Sequence, residues 1–203
     1  MKTMTKRLLI LLLASCLAMP AHADDEESPG GKRVMITKEM YSLTITHKGE
    51  KLEIKRNQDR KNEIKAFYRA TWRSRIQPMN PFEPHQVVTI GELEMLDYIR
   101  RLDEGDNCIL IIDSRMPGST ERGMIPLAVN IPYRDLKGEK MAQIMQLEFG
   151  VTAGDPVWNF RDAKTLVMYC NGPWCGQSPT AIKRLLRAGY PASLIKYYRG
   201  GMQ

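Results

Sequence analysis

The sequence predicts an α/β sandwich with a mostly parallel central sheet, preceded by an N-terminal β-hairpin extension. Three observations carry this prediction. From residue 87 onward, short apolar runs alternate with amphipathic ones, the order expected of strands and helices built around a parallel sheet. Two of those runs, residues 107–112 and 165–169, are almost continuously apolar, as suits strands buried on both faces. Upstream, residues 43–47 and 51–55 alternate apolar and polar on either side of Lys48-Gly49-Glu50, the pattern of a hairpin with one buried face.

Taken in order, residues 1–23 read as a signal peptide. Lys2, Lys6 and Arg7 precede an apolar core at residues 8–14, and Ala21-His22-Ala23 supplies a small-x-small cleavage site. The core is too short to span a bilayer. Leu13-Ala14-Ser15-Cys16 also fits a lipoprotein box, which would anchor the chain to a membrane through a lipidated Cys16. The expected location is therefore periplasmic or secreted after cleavage behind Ala23, with the lipoprotein as the alternative. Residues 24–33, acidic and containing Ser28-Pro29-Gly30-Gly31, are expected to form a flexible leader. Residues 34–86 form the extension: the hairpin, a charged stretch and a segment with three prolines at 78, 81 and 84. Tyr68 and Trp72 are four apart, so a helix there would present both on one packing face.

The main domain is expected over residues 87–203. Residues 87–89 read as a strand and residues 90–102 as an amphipathic helix, apolar at 93, 96 and 99 with support at 95 and 102, ending near Gly105. The strand over 107–112 would bury Cys108 as a small core hydrophobe and leave Asp113 and Arg115 at its carboxyl end. A turn-rich loop, a short strand over 128–132, a helix over 141–149 and a long connector over 150–163 follow. The chain then reaches the strand over 165–169, a helix over 180–188 and a last strand over 194–198.

Composition narrows the function classes. At 203 residues, with 43% hydrophobic and 26% charged residues, the chain has the make-up of a folded protein and not of a disordered or fibrous one. The net charge of +7 is concentrated in the signal segment and in residues 48–75. No nucleic-acid motif accompanies that basic stretch, so nucleic acid is not an expected partner, whereas a protein partner could dock on 48–75. The histidines, His22, His47 and His85, are scattered, which argues against a histidine-based triad. No Cys/His spacing fits a metal site, and no cofactor is expected. Removing the signal peptide leaves Cys108, Cys170 and Cys175, an odd number for an oxidising compartment, so at least one thiol is free or pairs outside the chain.

The chemistry points to one loop, Cys170-Asn171-Gly172-Pro173-Trp174-Cys175-Gly176-Gln177-Ser178. It joins an apolar strand to an amphipathic helix, at the carboxyl edge where parallel sheets bind ligands. Ser178 is a natural helix cap and Pro179 suits the first helical position. Loop N–H groups and the positive helix end would then favour the Cys170 thiolate, the nucleophilic form.

These features together resemble the rhodanese-like family of sulfurtransferases. Asp113-Ser114-Arg115 is similar to its "D-x-R" strand end. The stretch from Gly123 to Pro132 resembles its "G-H-I-P-G-A-x-N-I-P" segment, and Tyr169-Cys170 with Tyr198-Arg199-Gly200-Gly201 resembles its catalytic and closing strands. The resemblance implies a rhodanese-like three-layer sandwich. It also implies that Cys170 takes sulfur from a sulfane sulfur donor, holds it as a persulfide and passes it to a thiol or other nucleophilic acceptor. Asn171, Gly172, Trp174, Gly176, Gln177 and Ser178 would form the substrate loop, with Asp113 and Arg115 as architecture beside it. The chain departs from the family's Cys-x-x-Gly-x-Arg-Ser loop. Ser178 stands eight residues after Cys170, the loop arginine is missing, and Cys175 intervenes. Met124 and Leu127 replace the family's His and Gly. Weaker use of small anions such as thiosulfate is therefore expected. Lys183 and Arg187 on the next helix are expected to be solvated.

Cys175 leaves several uses open. It could accept sulfur from Cys170, resolve a persulfide or sulfenic acid there, close a disulfide as a redox switch, or simply pack. Trp174 is expected to lie over the loop and shield the thiol. Trp174-Cys175-Gly176 is also similar to the thioredoxin site, whose second cysteine would fall at Ser178; so late a position in the domain argues against that fold. The alternatives to sulfur transfer are thiol–disulfide chemistry by Cys170 and Cys175, and a catalytically silent binding module.

Overall fold

Alternation within one central strand sets the layers of the domain. In β6 (Thr165–Tyr169), Leu166 and Met168 point to one side of the sheet, and Val167 and Tyr169 to the other; all four are fully buried. The computed structural model describes residues 32–70, 72, 74–154 and 158–203. The expected signal peptide, Cys16, the Ala23 cleavage site and the leader up to residue 31 lie outside the described residues.

Residues Arg33–Gln203 form one unit. A two-stranded antiparallel hairpin, β1 (Ser42–His47) and β2 (Glu50–Lys55), is followed by the one-turn helix α1 (Ala66–Arg69). Then come β3 (Val88–Ile90), α2 (Glu92–Asp103), β4 (Ile109–Asp113), the short α3 (Pro117–Thr120), β5 (Val129–Asn130) and α4 (Gly138–Leu147). After β6 follow α5 (Gln177–Arg187), a 3₁₀ turn at Ala192–Leu194 and β7 (Ile195–Tyr198). The five-stranded sheet has the order β3-β7-β6-β4-β5, and every pairing is parallel. Its strand carboxyl ends therefore lie along one edge, where Asp113 and Cys170 emerge.

One face of the sheet, with Ile112, Leu166, Met168, Ile195 and Tyr197, packs on Met145 of α4 and on Ala181, Ile182 and Leu185 of α5. The other, with Ile109, Ile111, Val167, Tyr169 and Tyr198, packs on Met95 and Ile99 of α2. Ile45 of the hairpin is fully buried in that second core. The hairpin turns over only two residues, Lys48 and Gly49, both with positive φ (53° and 84°), and this left-handed pair matches the twist of the two strands.

Four expectations change. The buried stripe of α2 is Met95 and Ile99, one turn apart, while Leu93 is 53% exposed. Cys108 is exposed, because its N–H is held by the Asp106 carboxylate (3.0 Å) in the turn that leads into β4. Tyr68 is buried, but α1 ends at Arg69 and Trp72 is 84% exposed, so the two do not share a packing face. Ser178 lies inside α5 behind the cap residue Gly176, and its hydroxyl is used elsewhere.

Asp113 and Arg115 lock the carboxyl end of β4. Both are fully buried and share a forked ion pair, Nε to Oδ1 at 2.9 Å and Nη2 to Oδ2 at 2.6 Å. The remaining Arg115 donors reach the carbonyls of Ser119 (3.2 Å) and Gly123 (2.6 Å). Burial works against the guanidinium charge, but the hydrogen bonds and charge of Asp113 outweigh it and hold its pKa above the ordinary value. An R115A substitution would leave a bare carboxylate in the core. We expect it to cost roughly 3–5 kcal/mol, read as a lower midpoint in chemical denaturation. A loss below about 1 kcal/mol would refute this account.

Candidate active site

The loop between β6 and α5 is held from beneath by the end of the chain. The Met202 N–H donates to the Cys170 carbonyl at 3.1 Å, and the Ser114 N–H donates to the Tyr169 carbonyl at 2.9 Å. Gly201, with φ of 62°, lies so close that a Cβ there would sit 2.4 Å from the Cys170 carbonyl oxygen and 2.7 Å from the Gly172 nitrogen. Only glycine permits this approach. Within the loop, the Cys175 N–H closes a turn onto the Gly172 carbonyl at 2.9 Å and folds the second cysteine back over the first.

Cys170, Trp174 and Cys175 form one buried cluster, 2%, 5% and 4% exposed. The Ser178 hydroxyl donates to the Cys170 sulfur at 3.1 Å. The Cys170 thiol lies 3.4 Å from the Cys175 carbonyl oxygen. Around Cys175, the Asn171 amide donates to the sulfur at 3.8 Å, and the thiol points to Gln177 Oε1 at 3.7 Å. Burial pushes Cys170 well above the ordinary thiol range; the Ser178 hydroxyl and N–H pull the other way and do not prevail. The hydrogen bond from Cys170 pulls Cys175 down to about 7, aided against its own burial by the N–H groups of Asn171 and Gln177. The loop amides thus do not make Cys170 the acidic thiol of this closed arrangement. Cys175 holds that place.

The cover comes from the N-terminal extension. Trp174 Nε1 donates to the Tyr68 carbonyl at 3.2 Å. The Gln77 N–H donates to the Pro173 carbonyl at 2.7 Å, and Arg199 clamps the Gln77 carbonyl with Nε and Nη2 at 3.0 and 2.9 Å. Trp174 therefore shields the thiols together with a strap that sequence reasoning left out of the site. Tyr68, Gln77, Arg199, Gly201 and Met202 are its missed members. Only the paired glycines at 200 and 201 carried a signal, a close backbone approach.

The other expected loop residues are all present at the site. Gly172 is buried against the Gln203 side chain, and Gly176 caps α5 next to Gln77. Asp113 and Arg115 lie at the neighbouring strand end, joined to the loop through Ser114, and Arg115 spends its donors within its own segment. Lys183 and Arg187 are exposed on α5. Four buried polar atoms, Tyr68 Oη, Ser114 Oγ, Asn171 Oδ1 and Tyr197 Oη, have no hydrogen-bond partner among the described residues. Burial raises the pKa of the unused Tyr197 hydroxyl, and the neighbouring cysteines push it the same way.

The sequence model of the rhodanese-like domain family matches residues 95–203, more than half of the chain. The chain belongs to the rhodanese-like family. No curated protein matches it. Among solved structures, this rhodanese-like chain is similar to the BH2092 protein of Bacillus halodurans, at 20% identity and a TM-score of 0.41, over 57% of this chain and 68% of that one. It is also similar to a protein from Lactobacillus plantarum, at 21% identity and a TM-score of 0.40, over 57% and 78%. The human single-domain sulfurtransferase TSTD1 is 24% identical with a TM-score of 0.34, over 56% and 89%. Membership rests on the family match; structural likenesses this distant add nothing to it.

The split between the two thiols is open to titration. In a chain with Cys16 and Cys108 replaced by serine, thiolate ultraviolet absorbance should rise as pH increases through about 7. Mild alkylation at that pH should label Cys175 ahead of Cys170. A single midpoint at the ordinary thiol value of about 8.5, or labelling of Cys170 first, would refute the assignment.

Proposed function

We propose that the chain is an exported sulfurtransferase that carries sulfane sulfur as a persulfide on Cys170 and passes it to a thiol or other nucleophilic acceptor. Membership in the rhodanese-like family supports sulfurtransferase-type chemistry. The single observation that carries the finer reading is the position of Cys170, at the carboxyl end of the central strand with the Ser178 hydroxyl on its sulfur. That hydroxyl and the Ser178 N–H stabilise negative charge on sulfur once the cover parts and burial no longer opposes it. The thiolate attacks the sulfane sulfur of the donor. The donor's S–S bond breaks, its remaining part leaves with the electron pair, and the sulfur stays on Cys170.

The loop has no arginine, and Arg115 is occupied, so a small dianion finds few charged donors here. Polysulfide, a longer chain with weaker S–S bonds and its charge spread toward its two ends, is the better fit as donor. The acceptor is a thiol or other nucleophile able to reach the site when the strap over Trp174 opens. Export follows from the signal-like residues 1–23, with anchoring through Cys16 as the alternative, and the basic segment 48–75 is available to a protein partner.

The test is intact mass of the purified mature protein after polysulfide or thiosulfate, followed by peptide mapping with and without reductant. We expect a gain of one sulfur on Cys170, at least about tenfold faster from polysulfide than from thiosulfate, and none in a C170S variant. Sulfur on C170S would refute the carrier assignment. A Cys170–Cys175 disulfide with no sulfur gained by wild type or by C175S from any donor would replace it with thiol–disulfide exchange.

A further inference from the structure

The second cysteine is placed as a reacting group. It shares one buried cluster with Cys170 and Trp174, and its carbonyl oxygen lies 3.4 Å from the Cys170 thiol. Three contacts orient it: the Asn171 amide on the sulfur, Gln177 Oε1 facing the thiol, and the turn from the Cys175 N–H to the Gly172 carbonyl. None of these is needed for Cys170 to take up sulfur. Together they hold a second thiol in the same buried cluster as the first, where bulk thiols are shut out. The side of Cys170 that meets Ser178 is also occupied, at 3.1 Å.

Resting on the persulfide reading above, we propose that Cys175 resolves the Cys170 persulfide from within, releasing its outer sulfur as hydrosulfide and closing a Cys170–Cys175 disulfide. The geometry selects the atom attacked. The Cys170 sulfur that shares this cluster with Cys175 becomes the inner sulfur of the persulfide, so attack there expels the outer one. The step balances without an added reactant. The Cys175 thiol gives its proton to the outer sulfur of the anionic persulfide. The resulting thiolate attacks the inner sulfur, the persulfide S–S bond breaks, and HS⁻ departs with the bonding pair and that proton. Sulfane sulfur is reduced to sulfide, and the two cysteine sulfurs are oxidised to the disulfide. An external dithiol then restores both thiols by two exchanges and is itself oxidised to a disulfide. The protein thus has a second activity, reductive release of sulfide, beside transfer to an external acceptor.

Holding both thiols in one buried cluster makes the internal reaction effectively unimolecular, so it proceeds when no acceptor thiol is at hand. The test is one turnover without oxygen. The full mature chain is loaded with polysulfide, freed of excess donor and left without added thiol. Released sulfide is measured against time, and the protein is mapped for persulfide and disulfide. We expect wild type to release one sulfide per chain, with the Cys170–Cys175 disulfide appearing at the same rate. In C175S and C175A the Cys170 persulfide should persist at least about tenfold longer. The proposal is overturned if the wild-type persulfide lasts as long as that of the variants. It is also overturned if sulfide appears with no disulfide. If wild type and both variants all fail to take up sulfur, the persulfide reading falls, and this step with it. The wild-type stoichiometry alone decides the matter if a variant fails to fold.

Discussion

A guanidinium with no access to water must have its donors filled, and this requirement at Arg115 organises the carboxyl edge of the sheet. Its fork onto Asp113 and its bonds to the Ser119 and Gly123 carbonyls fold the chain beyond β4 into one fixed path. Asn130 ties β5 to the same place through the carbonyls of Asp113 and Arg115, each at 2.9 Å. From that anchor the Ser114 N–H reaches the Tyr169 carbonyl, and the Tyr169 hydroxyl accepts from the Ile125 N–H at 3.0 Å. Cys170 is the next residue. The reactive loop is thus fixed on an ion pair that makes no contact with the thiols.

Strand, loop and helix around Cys170 were legible because each leaves a local mark. A continuously apolar run reads as a doubly buried strand, and the following run reads as a helix with one apolar face. The strap left no such mark. Its bonds, from Trp174 Nε1 to the Tyr68 carbonyl and from the Gln77 N–H to the Pro173 carbonyl, use the backbone of the extension, and backbone groups are the same in every sequence. Ser178 misled for a different reason. A serine ahead of a helix serves equally well as a cap or as a hydrogen-bond donor to sulfur, and only the position of Cys170 decides between them. Cys108 was misplaced because an apolar run does not show where its strand enters the core. At Leu127 the sequence lacks the glycine that the family's segment has, yet the backbone keeps a positive φ of 62°. Its N–H donates to His47 Nδ1 at 3.3 Å, and its side chain packs in the core that includes Ile45. The hairpin therefore helps to hold a conformation that an L side chain disfavours.

The same extension sets the electrostatics of the site. With the strap in place, Cys170 is dry and keeps its proton, while Cys175, with more donors around its sulfur, gives its proton up more readily. Burial is the largest influence on Cys170 and holds it above the ordinary thiol range. Tyr68 and Gln77 thus help to hold the closed cover under which Cys170 is the less acidic of the two thiols. A segment outside the matched residues 95–203 belongs to the chemistry of the site as much as the loop does.

A covered thiol pair also has a longevity that an open one lacks. Cysteine that meets peroxide as an exposed thiolate climbs to sulfinic and sulfonic acids, from which it is not recovered by thiols. Here the more acidic sulfur lies under Trp174 at 4% exposure, beside a partner that would capture a sulfenic acid as a disulfide before a second oxidation. The bond from the indole to the Tyr68 carbonyl therefore guards the two sulfurs from oxidant as well as from water.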